Sequence, residues 1–91
     1  MKTLRIDASG WPLDFAGRLR LAGAVADSLL GEAMLLSWYD RDRDLESPRG
    51  VSECHEACAA QGAMDYARNR GAQLVVDFEA GRFVFCYLGK V

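Results

Sequence analysis

The chain lacks most of the features that announce a function. It has no surplus of positive charge: 11 Lys and Arg stand against 13 Asp and Glu, for a formal net charge of −2. Nothing is left over to neutralise a phosphate backbone, so no general nucleic-acid binding is expected. No apolar run approaches the roughly 20 residues that span a bilayer, so no membrane association is expected either. The opening Met1-Lys2-Thr3-Leu4-Arg5-Ile6-Asp7 contains no apolar stretch of the kind a secretory signal needs. Cysteine is sparse and odd in number, at Cys54, Cys58 and Cys86. That count does not suit a disulfide framework and points to a reduced, cytoplasmic protein. G-x-x-x-x-G-K, G-x-G-x-x-G after a strand and G-x-S-x-G are all missing, which removes phosphate loops, dinucleotide fingerprints and nucleophile elbows. Lysine is also rare, two against nine arginines. This bias fits base composition in the source genome better than it fits bidentate anion recognition.

What is present is an ordinary globular composition, 51% apolar and 26% charged over 91 residues, enough for a single domain over 1–91. Lys2 to Asp7 alternate polar and apolar residues and predict a half-buried strand, ended by Gly10 and Pro12. Phe15, Leu19, Ala22, Val25 or Ala26, Leu29 and Leu30 recur at helical spacing, with Asp14 to start the helix and Gly31 to stop it. The nearly continuous apolar run Ala33 to Tyr39 predicts a strand covered on both faces. A polar stretch from Asp40 to Gly50 follows. A second helix is expected next, capped by Ser47 or Ser52, with Glu53 and Glu56 in its first turns. Arg68 and Arg70 suit its end, and Gly71 can close it. Gln73 to Glu79 and Arg82 to Leu88 then read as a hairpin around Ala80-Gly81.

The order β-α-β-α-β-β places the fold in the α+β / α/β class. The expected architecture is a two-layer sandwich, a mixed four-stranded sheet with both helices on one face. Such layering leaves a problem, because Phe83, Phe85 and Tyr87 alternate with Val84, Cys86 and Leu88, and both sets are apolar. One set would lie open. At roughly 25 cal/mol per Å², several wet aromatics forfeit several kcal/mol. A homodimer through the uncovered sheet face, using one set or the other, is the simplest expected cover.

Chemistry concentrates in Ser37 to Cys58. Asp40, Asp42 and Asp44 repeat the first ligand positions of a calcium loop, but Leu45 and Val51 stand where that loop needs glycine and glutamate. A looser site for a divalent cation, Mg²⁺ or Mn²⁺, remains an expectation for these three carboxylates. Cys54 and Cys58 lie one helical turn apart and His55 is the sole histidine. Neither a C-x-x-C pair nor a second histidine completes a zinc site, and core packing explains both cysteines better. If the site is catalytic, His55 serves as base or proton shuttle, Glu53 assists, and Cys54 near a helix start is the nucleophile.

Ligands of open α/β sheets bind beyond the carboxyl ends of parallel strands. With the first two strands parallel, Asp7, Ser9 and Trp11 emerge beside Asp40, and Ser52 returns to that edge at the helix start, whose free N–H groups favour an anion. The leading reading is a dimeric binding or interaction module for a small polar ligand or a protein partner. The alternative is a small, metal-assisted enzyme built on Asp40, Asp42, Asp44, Glu53 and His55.

Overall fold

Local chemistry sets the ends of the first helix. In the computed structural model, which describes residues 1–49 and 59–90, the Asp14 carboxylate accepts from Gly17 N–H at 2.8 Å. It thereby satisfies one of the orphan donors of helix α1 (Phe15–Leu30). Gly31, at φ 86°, ends it. A side chain at position 17 would be crowded, because a Cβ there would lie 3.0 Å from Leu13 and 3.3 Å from the capping carboxylate. Both helix ends fall where Asp14 and Gly31 predict them.

The strands are β1 (Lys2–Ile6), β2 (Ala33–Asp40), β3 (Leu45–Ser47), β4 (Leu74–Phe78) and β5 (Phe83–Gly89). They form one sheet in the order β1-β4-β5-β2-β3. β1 and β4 are parallel, while β5 is antiparallel to both β4 and β2. The mixed α+β architecture is therefore as expected, with one more strand. The addition, β3, is a three-residue edge inside the stretch read as a polar loop, and it includes Ser47, which therefore caps no helix.

The layering differs from expectation. Ala22 and Ala26 of α1 pack with Leu74, Val76, Phe78, Phe83, Phe85 and Tyr87. Helix α2 (Ala59–Arg68) instead sets Ala63 and Ala67 against Val75, Val84 and Cys86. These two sets alternate along β4 and β5, so the helices cover opposite faces. The cause lies in the strand order. β1, β2 and β4 all point the same way, but α1 carries the chain from the first sheet position to the fourth, and α2 carries it back to the second. Two right-handed crossovers that step in opposite directions deposit their helices on opposite sides. A two-layer sandwich would need both steps in one direction.

The open face proposed for dimerisation is consequently closed. Phe83, Phe85 and Tyr87 are buried beneath α1, and Val84 and Cys86 beneath α2. Leu88 is half-buried near the sheet end.

A second departure matters for the site. Strict alternation along β2 puts Leu36 and Trp38 on one face, but the register with β5 slips between Leu35 and Ser37. This β-bulge places Leu35 and Trp38 together under α1 and turns Leu36 and Tyr39 toward α2. Ser37 donates to the Ala63 carbonyl at 2.7 Å. Without the extra residue, Asp40 would face α2. With it, Asp40 faces the start of α1, as bulges beside sites commonly re-aim a side chain.

Candidate functional site

β1, β4 and β2 end on one edge of the sheet, and β5 begins there. Across that edge lie, in order, Asp7, Glu79, Arg82 and Asp40. Asp7 and Asp40 therefore emerge on the same side, as anticipated, yet they are not neighbours. β4 and β5 stand between their strands, a gap of roughly 14 Å at about 4.8 Å per strand spacing. The single pocket expected to gather Asp7, Ser9, Trp11 and Asp40 is divided accordingly. The Asp7 carboxylate turns back on its own loop and accepts from Ser9 Oγ at 2.6 Å and Ser9 N–H at 3.0 Å. These bonds hold its pKa below the usual carboxylate value. Trp11 is 71% exposed and borders a separate apolar hollow with Ile6, Leu13 and Leu21.

The cleft that does form beside Asp40 has a volume of about 410 Å³ and lies between the start of α1 and the β2–β3 turn. Phe15, Phe83 and Leu13 supply its apolar wall; Asp14, Asp40, Asp42, Arg43 and Arg82 supply its polar rim. Asp40 is almost fully buried. One of its oxygens accepts from Arg43 Nε at 2.5 Å and the other from Arg43 N–H at 3.2 Å. The Arg43 guanidinium also lies 4.8 Å from the centre of the Phe15 ring, a cation–π arrangement. Its two terminal nitrogens bond to no other described residue.

The remaining acids are held as firmly. Asp42 receives Arg82 through two nitrogens, Nε at 2.9 Å and a terminal nitrogen at 2.6 Å. That fork holds the Asp42 carboxyl below its ordinary pKa and raises that of Arg82. Arg82 in turn approaches Glu79 at 3.5 Å. Glu79 pairs with the buried Arg18 and accepts from Ala8 N–H at 3.2 Å. Asp44 accepts from the Tyr39 hydroxyl at 3.4 Å. Burial, followed by the charge and hydrogen bond of Asp44, pushes the Tyr39 phenol pKa up.

The three aspartates anticipated as cation ligands thus turn to three different partners: Asp40 to Arg43, Asp42 to Arg82 and Asp44 to Tyr39. No group of three or more His, Cys, Asp or Glu side chains is arranged to hold a metal among the described residues. Ser52, Glu53, Cys54 and His55 lie outside the described residues, as do the helix-start residue Glu56 and Cys58.

Sequence reasoning missed Phe15, Arg18, Glu79, Arg82 and Phe83 as parts of this edge. One signal was available. Arg18, Ala22 and Ala26 share a helical face at four-residue spacing, so an arginine was already on the buried stripe of α1 and needed a partner.

The fold and its cleft can be set beside known proteins. A crystal structure from Archeoglobus fulgidus DSM 4304, of a protein described as a novel non-family-model protein, is similar to this chain with a TM-score of 0.76. The two are 24% identical, over 100% of this chain and 96% of that one. At that identity the likeness is one of fold. No curated protein matches the chain. A family model described as a domain of unknown function, DUF5619, matches residues 1–87.

Proposed function

Given that the chain belongs to the DUF5619 family of domains of unknown function, we propose that it is a small binding domain whose site is the strand-end cleft. Its ligand is a small molecule that joins a carboxylate or phosphate group to a flat apolar part. The observation that carries this reading is Arg43. Asp40 holds its Nε and the Phe15 ring lies against its guanidinium, so the side chain is oriented at the cleft rim while half of it stays exposed. A pre-oriented fork of this kind suits bidentate recognition of an anion. The volume falls in the range of small-molecule sites, roughly 300–1,000 Å³.

The carboxylates do not suit cation binding, because each is already engaged by an arginine, a helix cap or a hydroxyl. Nor does Asp42 suit general acid work, since its pKa is lowered where an acid needs it raised. A reducing compartment accords with the odd cysteine count and with the free, buried thiol of Cys86. No described helix is long and apolar enough to cross a membrane.

Thermal denaturation against a panel of aromatic carboxylates and phosphomonoesters tests the reading. A ligand at 100 times its Kd stabilises the native state by about 2.7 kcal/mol, which is easily seen as a raised midpoint. The rise is expected in the native protein and not in Arg43→Gln, with circular dichroism confirming that the variant is folded. A panel that leaves the midpoint unmoved, or a variant that responds fully, would overturn it.

A further inference from the structure

A second arginine besides Arg43 reaches the strand-end cleft. Arg43 and Arg82 both line it, together with Phe15 and Phe83. The Arg43 guanidinium lies 4.8 Å from the centre of the Phe15 ring, and that of Arg82 lies 5.3 Å from the centre of the Phe83 ring. The rings are themselves 6.3 Å apart. The apolar wall therefore carries a guanidinium at each of its two rings, and a flat molecule on this wall has two cations within reach.

The two arginines differ in what holds them. Asp40, with 1% of its side chain exposed, binds Arg43 Nε and also accepts from Arg43 N–H. That pair is part of the frame. Asp42 stands instead in the turn between β2 and β3, and it and Arg82 are 42% and 35% exposed. Ion pairs this open contribute little, and an aspartate on a turn regains water when it leaves. The other acids of the rim have fixed tasks, since Asp14 caps α1 and Asp40 pairs with Arg43.

The form of the Arg82–Asp42 contact indicates what can replace it. Two nitrogens of one guanidinium meet one carboxylate, Nε at 2.9 Å and a terminal nitrogen at 2.6 Å. That planar fork is the geometry in which arginine takes the carboxylate or phosphate of a ligand. Asp42 itself lines the cleft, so the chain already presents one carboxylate to Arg82 there.

Resting on the reading of the cleft as an anion site, we infer that its ligand is a planar dianion, with one anionic group on Arg43 and a second that takes the place of Asp42 on Arg82. Asp42 is a tethered competitor, and it limits how much the second group adds to affinity. A ligand with a single anionic group leaves Arg82 with Asp42. The exchange on Arg82 trades one carboxylate for another, so the native protein favours a dianion modestly, and the preference grows when Asp42 is neutral.

Calorimetric titration of the whole chain with benzoate, terephthalate and the para-linked biphenyl dicarboxylate tests the inference, the two dianions holding their charges at different separations. The better dicarboxylate is expected to bind several-fold more tightly than benzoate. Asp42→Asn is expected to widen that preference by roughly two- to fivefold, the size of an exposed ion pair. Asp44→Asn removes the same charge from the same turn and is expected to leave the preference as it was. Arg82→Gln, made together with Asp42→Asn so that no carboxylate is stranded, is expected to erase it. Benzoate bound as tightly as both dicarboxylates would overturn the inference, as would an Asp42→Asn variant that gains equally for all three. A preference that survives the loss of Arg82 would also overturn it. In each of those cases, benzoate binding that still depends on Arg43 would leave the anion site standing, whereas no binding of any probe would sink both.

Discussion

The guanidinium of Arg18, in α1, closes on the carboxylate of Glu79, 61 residues later in the turn between β4 and β5. Arg18 also donates to the Leu13 carbonyl, and its face rests 4.6 Å from the centre of the Phe83 ring. Glu79 meanwhile holds Ala8 N–H. One carboxylate thus ties the β1–α1 loop, α1 and the β4–β5 turn together.

Both partners of this pair are nearly buried, so removing one leaves a charge without its counter-ion. Glu79→Ala is expected to cost about 3–5 kcal/mol, measured by urea denaturation. Arg18→Met with Glu79→Leu removes both charges and keeps the volume, and it should recover most of that loss. A Glu79→Ala variant within about 1 kcal/mol of the native protein would show that the pair does not hold the edge together.

The Tyr87 hydroxyl is the opposite case. It is buried under α1 and has no hydrogen-bond partner among the described residues. Burial is the chief reason that its pKa is pushed up to about 12. A buried hydroxyl that makes no bond retains only its desolvation penalty. Tyr87→Phe is therefore expected to leave stability unchanged or raise it by about 1 kcal/mol. A loss of more than that in equilibrium unfolding would mean that the hydroxyl has a partner.

Asp14 and Gly31 gave both ends of α1 correctly, because caps act within four residues of where they stand. The alternation through β4 and β5 was equally plain. The side of the sheet on which each helix lies was not, because it depends on strand order, a long-range choice that leaves Ala22 and Ala63 looking alike in sequence. The bulge at Leu36 was hidden for a different reason. Apolar residues occupy both faces of β2, so a slip of one residue changes no polarity pattern. Asp40, whose orientation depends on that slip, was named as a site residue from its edge position and from its spacing with Asp42 and Asp44, neither of which tells which face it takes.

The turn that carries Glu79 holds three successive residues at positive φ: Glu79 at 45°, Ala80 at 54° and Gly81 at 92°. Glycine adopts this region freely, whereas a Cβ disfavours it by roughly 1–2 kcal/mol. Ala80 is exposed, so loss of its methyl group forfeits little burial. Ala80→Gly is expected to raise stability by up to about 1 kcal/mol, part of the gain being offset by the freer unfolded chain. A destabilised variant in chemical denaturation would count against strain at this position.

Cys86 supplies a pH-dependent test. It is fully buried beneath α2, and burial pushes its thiol up to about 11 from an ordinary value near 9. Between those values the native state keeps the proton while the unfolded chain releases it. Unfolding then becomes easier as pH rises, so the contribution is complete below pH 9 and lost on passing through about 11. The native protein should accordingly lose stability over that window more steeply than Cys86→Ala, in which the titrating group is gone. Alkylation followed at the Cys86 peptide by mass spectrometry should likewise stay slow at pH 8, at a rate set by opening of the fold, because the thiolate is the reactive form. Rapid labelling at pH 8, or identical pH profiles for the two proteins, would mean that α2 does not seal this face of the sheet.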